Sequence, residues 1–140
     1  MSDQSKALAR RYFERLLSKG DLAIADEIIA EDVAFRGPNY WGEVLHGRPA
    51  FVQFIAMLRT AFPDLDFTIV EELAEGDKVA TSFRMRGTHR AEWMGLPATG
   101  KQMDLAGVDI FHVADGKIKE IAVYYDTLGL MQQLGVIPTP

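Results

Sequence analysis

Residues 87–100 read Gly-Thr-His-Arg-Ala-Glu-Trp-Met-Gly-Leu-Pro-Ala-Thr-Gly. This stretch separates two segments, at 79–86 and 103–113, that are rich in β-branched and aromatic residues and are predicted to be strands. Two short motifs lie beyond them, Asp-Gly-Lys-Ile-Lys-Glu at 115–120 and Gln-Gln-Leu-Gly at 132–135. The glycines occur singly before turns, so these segments contain neither a phosphate-binding loop nor a Rossmann fingerprint.

The second half of the chain is predicted to consist of strands joined as consecutive antiparallel hairpins. Turn-forming residues at 75–77 and 114–116 separate segments whose composition is typical of strands. The predicted strands cover residues 65–73, 79–86, 103–113 and 118–125, with a short additional strand at 33–36.

The first half of the chain is predicted to be helical. Apolar residues recur at helical spacing over residues 8–17, with charged residues on the opposite side. Asp21 is a predicted N-cap of a second helix, and a third begins near Arg48-Pro49, because proline suits a first helical turn. A last helix is predicted at about 127–134, and capping of its N-terminus explains Asp126.

Helices followed by a run of strands indicate an α+β fold. No repeat, low-complexity segment or internal linker interrupts the 140 residues, so a single domain over residues 1–140 is expected. We expect a curved antiparallel sheet that wraps around the N-terminal helices as a cone. A blind internal cavity would remain between sheet and helices, and apolar concavities of this kind are favoured sites for small molecules.

Composition argues against several classes of protein. Hydrophobic residues make up 48% of the chain and charged residues 25%, as in ordinary globular proteins, and no apolar run approaches the roughly 20 residues that span a bilayer. The net charge of −5 argues against nucleic-acid binding, which needs a basic face. The N-terminus lacks the pattern of a signal peptide, so a cytoplasmic location is expected.

Metal and thiol chemistry are not expected either. The chain has no cysteine, and its three histidines, His46, His89 and His112, lack the close spacing of a metal site. His112 alternates to the strand face opposite Asp109 and is predicted to point away from the cavity. We therefore expect neither a metal nor a cofactor.

Several segments carry a family resemblance: the motifs at 87–100, 115–120 and 132–135, the N-terminal helices, and a Phe-Pro-Asp turn at 62–64. Together they resemble the SnoaL-like polyketide cyclases, members of the nuclear-transport-factor-two-like superfamily. The resemblance implies the cone-shaped fold, with a ligand site inside the cone. Aligned on Gly-Lys-Ile at 116–118, it puts the aspartate of the cyclases' proton transfer at Val123, and the histidine that assists it at Asp109.

Asp109 is the leading candidate for proton-transfer chemistry, which needs a carboxylate or imidazole with a shifted pKa. It lies mid-strand between apolar neighbours, and a carboxylate buried with them needs partners or a raised pKa. The alternative is a structural ion pair with Arg84, Arg86 or Arg36. Tyr125 shares a strand face with position 123 and could donate a hydrogen bond into the cavity.

The cavity is predicted to be lined by aromatic and flexible apolar side chains, which favour a ring-shaped apolar ligand. Most of these side chains could equally be core residues, and His89 could instead belong to a loop. The predicted ligand-binding residues are Tyr12, Arg36, Trp41, Phe62, Met85, His89, Trp93, Met94 and Val123.

Two functions remain open from the sequence. The first is cofactor-free proton-transfer catalysis, by a cyclase, isomerase or lyase, on a small hydrophobic cyclic or polyketide-like molecule. Asp109 would be its base or acid, and Tyr125 and Arg36 would position the substrate or stabilise an oxyanion. The second is a non-catalytic binding protein that uses the same cavity, as the loss of the aspartate at Val123 would allow.

A homodimer is the expected assembly. If Asp109 faces inward, the outer face of the sheet should carry Val108, Ile110, Ala122 and Tyr124. So much exposed apolar surface usually marks an interface, and two copies of the chain would present the same patch to each other.

Overall fold

The structure, a computed structural model, describes residues 2–37 and 44–139. The helical elements are α1 (Ser2–Arg11), a π-helix (Tyr12–Ser18), a 3₁₀-helix (Leu22–Ile24), α2 (Ala25–Ile28), α3 (Arg48–Ala61) and α4 (Thr127–Gln133). The strands are β1 (Ile29–Arg36), β2 (Val44–His46), β3 (Asp66–Glu75), β4 (Lys78–Thr88), β5 (Gln102–Ala114) and β6 (Lys117–Tyr125).

The N-terminal helical segment was predicted, but its internal geometry was not. Helix α1 continues directly into the π-helix, whose four apolar side chains are all buried. The predicted cap at Asp21 is wrong, because its side chain makes no capping hydrogen bond and accepts one from Arg15 at 2.7 Å instead. The predicted second helix is reduced to a 3₁₀ turn and the single turn of α2, since Ile29 already begins β1.

Within the described residues, six strands form one curved, open sheet in the order β2-β1-β6-β5-β4-β3. The four strands of the second half pair antiparallel in sequence order, as predicted. Strand β1, however, pairs parallel with β6, so the sheet is mixed rather than wholly antiparallel. Parallel pairing is possible here because the chain between β1 and β6 includes α3 and four strands, far more than a crossover requires.

The inner face of the sheet forms the core together with the N-terminal helices and α3. Alternation puts Val79, Thr81, Phe83 and Met85 of β4 inside, each of them buried. Helix α3, which has proline in its first turn as predicted, buries Phe51 and Ile55. Burying each large apolar side chain stabilises the fold by about 1.5–3 kcal/mol.

The outer face of β5 and β6 carries the apolar residues that were expected there. Val108, Ile110 and Tyr124 are between 37% and 60% exposed. Two apolar residues of β3, Val70 and Leu73, are also exposed. Among the described residues, none of the helices has the length and apolar character needed to cross a membrane.

Helix α4 begins with the predicted cap, since the Asp126 carboxylate accepts a hydrogen bond from the Gly129 N–H at 2.8 Å. We predict that Asp126→Ala lowers the free energy of unfolding by about 1 kcal/mol, because a helical N–H loses its partner. Asp126→Asn, whose side-chain oxygen can still accept that bond, should change it by a few tenths at most. Urea denaturation measures both, and equal losses in the two variants would contradict the capping role.

Candidate active site

A cavity lies between the N-terminal helices, α3 and the inner face of the sheet. The empty space between its lining atoms is about 550 Å³, including the part open to solvent. It is lined by Tyr12, Leu17, Phe35, Phe54, Ile55, Leu58, Phe62, Phe67, Phe83, Met85, Trp93, Met103, Asp109, Val123, Tyr125 and Leu130. The walls are thus almost wholly apolar, with one carboxyl group and two phenols as the main polar groups.

The structure brings most of the predicted site residues together in this cavity. Both residues predicted to be catalytic line it, and so do five of those predicted to bind ligand. These seven are Asp109, Tyr125, Tyr12, Phe62, Met85, Trp93 and Val123.

Of the other predicted ligand-binding residues, Arg36 and Met94 are exposed away from the cavity, and His89 lies beside it without lining it. Arg36 is exposed at the end of β1, because Phe35 takes the inward position on that strand and the next residue must point outward. Met94 is 44% exposed in a tight turn, where its φ of 52° reverses the chain. Position 41, the predicted Trp41, lies outside the described residues.

Asp109 is buried deep in the sheet, with 2% of its surface exposed. Its Oδ1 atom has no hydrogen-bond partner among the described residues, and burial raises the pKa of the carboxyl group well above its usual range. In the sheet register it lies directly between Thr81 of β4 and Val123 of β6. The carboxyl is therefore held where its proton affinity is high and where the cavity reaches it.

The alternative interpretation of Asp109, a structural pair with an arginine, is wrong. Arg84 and Arg86 project from the outer face of β4 and contact Asp104, at 2.6 Å and 3.5 Å respectively. Since Arg36 is also directed outward, none of the three cations reaches the buried carboxyl.

Tyr12 is the helix residue that faces Asp109. It is buried by edge-to-face contacts with Phe13 and Phe111, at ring-centroid distances of 5.1 Å and 5.0 Å. Burial, and in second place the charge of Asp109, raise the pKa of the Tyr12 phenol well above its usual range. The phenol therefore keeps its proton and can act as a hydrogen-bond donor.

On β6, Val123 and Tyr125 share the inner face, as predicted, and Tyr124 points outward with 60% of its surface exposed. Val123 occupies the sheet position directly opposite Asp109. His112, on the outer face of β5, contacts Asp77 at 2.8 Å and faces away from the cavity, which was also predicted.

His89 is fully buried beside the cavity but does not line it. Its Nδ1 accepts a hydrogen bond from the Thr99 N–H at 3.2 Å and lies 3.0 Å from the Thr99 hydroxyl. Its ring stacks on Phe62, which does line the cavity, at 5.4 Å. This imidazole therefore ties the two ends of the connection between β4 and β5 together and supports the cavity wall from behind.

Sequence reasoning missed part of the cavity wall. Phe35, Phe54 and Leu58 also line the cavity, but nothing in their local sequence pattern separates a cavity wall from a packed core. Among the described residues, no group of three or more His, Cys, Asp or Glu side chains could hold a metal ion. The arrangement suits acid–base chemistry on an apolar ligand.

The site lies in a segment with a clear family match. A family model for SnoaL-like polyketide cyclases matches residues 7–134. The chain belongs to the SnoaL-like polyketide cyclase family. Among curated proteins, the aklanonic acid methyl ester cyclase of Streptomyces peucetius is 31% identical over 98 residues, which cover 69% of this chain and 68% of that protein. The nogalonic acid methyl ester cyclase of Streptomyces nogalater is 28% identical over 114 residues, covering 79% and 82%.

Solved structures show the same fold. A SnoaL-like protein from Jannaschia sp. CCS1 superposes with a TM-score of 0.89 at 23% identity, covering 98% of this chain and 95% of that one. IdmH of Streptomyces antibioticus gives a TM-score of 0.80 at 30% identity, with coverages of 94% and 99%. The SnoaL-like cone predicted from the motifs is confirmed.

The raised pKa of Asp109 predicts a specific effect of pH on stability. Below pH 3.8, the ordinary value of the group, both native and unfolded chains hold its proton. As the pH rises above that value, the unfolded chain releases the proton while the native chain keeps it. The contribution of this group to the free energy of unfolding therefore falls by about 1.4 kcal/mol per pH unit until the native pKa is passed.

Asp109→Asn has no such proton to lose. We predict that its melting temperature, relative to that of the unsubstituted protein, rises steadily as the pH increases from about 4. Calorimetry of both proteins at a series of pH values measures this difference. A difference that stays constant with pH would show that the carboxyl ionises normally in the native state.

Proposed function

We propose that this SnoaL-like protein is a cofactor-free enzyme that closes a ring in a polyketide-derived ester by proton transfer. The proposal depends on the Asp109 carboxyl, which is buried without a cationic partner among the described residues and forms part of a mainly apolar cavity. Curated relatives that share about 30% of its sequence are named as cyclases of polyketide methyl esters.

The chemistry would be an intramolecular aldol closure. The Asp109 carboxylate removes a proton from a carbon flanked by carbonyl groups, and the resulting enolate carbon attacks a carbonyl carbon of the same molecule. The alkoxide that forms then takes a proton from the Asp109 carboxylic acid, which restores the carboxylate. Burial raises the pKa of Asp109, so its carboxylate is a stronger base than an exposed one, which suits the removal of the carbon-bound proton.

The two phenols of the cavity would stabilise the negative charge that develops on the substrate oxygen. Tyr12 keeps its proton and faces Asp109, so it can donate a hydrogen bond to an enolate oxygen close to the base. Tyr125 lines the same cavity from β6. Arg36, which points outward, has no part in this proposal.

The position of Asp109 suggests how it replaces the family aspartate expected at Val123. The two residues are directly opposite each other on neighbouring strands, where facing Cβ atoms lie about 4.5–5.5 Å apart. A carboxyl moved from β6 to β5 therefore stays at the same level of the cavity. The proton-transfer group has shifted by one strand.

A second candidate function is ligand binding without chemistry. It is favoured by the nearly apolar lining and by the methyl groups of Val123 where a cyclase is expected to carry its carboxylate. In that case Asp109 would remain a neutral acid that hydrogen-bonds a ligand oxygen.

We predict that the protein cyclises a polyketide methyl ester such as nogalonic acid methyl ester. Asp109→Asn should lower turnover by about 100-fold or more, since general-base catalysis contributes at least that much, while ligand affinity changes little. Asp104→Asn is the matched control on the outer face of the same strand and should retain turnover. Chromatography measures product formation, and fluorescence titration measures ligand binding. Together they distinguish a loss of catalysis from a loss of affinity.

Two results would count against the enzyme. Binding of the ester without turnover by the unsubstituted protein would favour the second candidate. Full turnover by Asp109→Asn would show that another group acts as the base.

The same chain is proposed to form a homodimer through the outer face of its sheet. This face carries a patch of exposed apolar side chains, which a dimer would remove from water. The patch consists of Val70, Leu73, Val108, Ile110 and Tyr124. A two-fold axis through this surface would pair each patch with its own copy.

We predict that light scattering at micromolar concentration gives about twice the 15.6 kDa of one chain. Ile110→Lys should shift the population to monomer, because a charge would be placed in the apolar contact. Leu128→Lys, at an exposed apolar residue of α4 that is not part of this patch, is the control and should leave the dimer intact. A monomer in the unsubstituted protein refutes this interface.

A further inference from the structure

Three buried oxygen atoms on three neighbouring strands have no hydrogen-bond partner within the described part of the chain. They are Oε2 of Glu72, Oγ1 of Thr81 and Oδ1 of Asp109. Buried polar atoms are normally paired, so an unpaired atom needs an explanation. Because the three unpaired atoms lie on adjacent strands, a single explanation should account for all of them.

The sheet register puts the three residues in a single row. Glu72 of β3 pairs directly with Thr81 of β4, and Thr81 pairs directly with Asp109 of β5. Directly opposite side chains project from the same face of a sheet, and their Cβ atoms lie about 4.5–5.5 Å apart. The row therefore runs along the inner face, beneath the N-terminal helices.

The two ends of the row have different surroundings. Asp109 reaches the cavity, whereas Thr81 is fully buried and does not line it. Glu72 lies near the rim of the sheet, where 11% of its side chain is exposed and its Oε1 accepts a hydrogen bond from Arg10 of α1 at 3.1 Å. The row thus connects the inside of the cavity with a charged pair at the protein surface.

We propose that Glu72, Thr81 and Asp109 form a proton relay through which the cavity carboxyl exchanges its proton with solvent behind the bound ligand. The inference rests on the proposed acid–base role of Asp109 and makes Thr81 and Glu72 positioning residues for it. A direct hydrogen bond or one bridging water would span each gap in the row.

The donor and acceptor properties of the three groups fit such a relay. The Thr81 hydroxyl can accept one hydrogen bond while it donates another, whereas an ionised Glu72 can only accept. The O–H bond of Asp109 breaks as its proton moves to the Thr81 oxygen, and the original Thr81 proton moves to Glu72. One proton has then passed from Asp109 to Glu72, one negative charge has passed the other way, and Thr81 is unchanged.

Other titratable or charged groups lie close to this row of side chains. Tyr12 approaches from the π-helix and Tyr125 lies farther along β6, and both line the cavity with Asp109. Arg10 is the cation of the row, paired with Glu72. The phenols lie on the ligand side, so the relay offers the carboxyl a separate connection to water.

The test is an infrared titration of the purified protein. The carbonyl stretch of protonated Asp109 is identified by its absence in Asp109→Asn, and its midpoint pH is measured in each variant. Thr81→Val should raise the midpoint by about one pH unit or more, because the carboxylate loses its hydroxyl donor. Thr81→Ser should restore the original midpoint, and Thr68→Val, the same substitution on the exposed face of β3, should not move it.

Glu72→Gln is an independent variant at the partly exposed end of the row. Removing its negative charge should lower the midpoint of Asp109, and this result decides the question alone if Thr81→Val does not fold. An unchanged midpoint in folded Thr81→Val, equal shifts in Thr81→Val and Thr81→Ser, or an unchanged midpoint in Glu72→Gln would overturn the relay.

The relay and the proposed enzyme can fail separately. If Asp109→Asn loses turnover while Thr81→Val and Glu72→Gln titrate normally, the enzyme stands and the relay is wrong. If the midpoints shift as expected but Asp109→Asn keeps full turnover, the three groups are coupled and the catalytic role of Asp109 is wrong.

Discussion

The burial of one carboxyl group with no cation beside it in the described part of the chain is the constraint on which the site depends. Asp109 lies between apolar residues of β5, a central strand. Arg84 and Arg86 of the neighbouring strand pair with Asp104 on the other face of the sheet. An ionised carboxylate there loses its hydration, so its pKa rises and ionisation opposes folding. A buried carboxyl group of this kind lowers stability wherever it must ionise, and such groups are common at functional sites.

The rest of the fold supplies the surroundings that this carboxyl requires. The π-helix presents Tyr12 from above, and the curved sheet brings apolar side chains of β3 to β6 around the same space. Strand register then decides which groups meet. It places Val123 opposite Asp109 on one side and Thr81, followed by Glu72, on the other. The polar groups around the cavity are therefore aligned across the strands rather than along any one of them.

The motif segment at residues 87–100 has a structural role in the fold. His89 is bonded to Thr99 and stacked behind Phe62, so the segment closes on itself and forms part of the cavity wall through Trp93. Met94, in the middle of the same segment, turns to solvent. A motif that identifies the fold need not contain the groups that react.

The sequence by itself determined the α+β architecture, the antiparallel strands β3 to β6 and the cap at Asp126, because these depend on local periodicity and turn residues. The family resemblance implied the inward direction of Asp109, whose neighbours Val108 and Ile110 are both apolar. Only the tertiary structure decided that β1 pairs parallel with β6 and that no arginine of the sheet reaches Asp109. Only the structure aligned Glu72 with Thr81, since a register shift between Ile69 and Glu71 changes which residues of β3 face inward. Pairing, register and bulges depend on contacts between residues distant in sequence, and local patterns do not encode them.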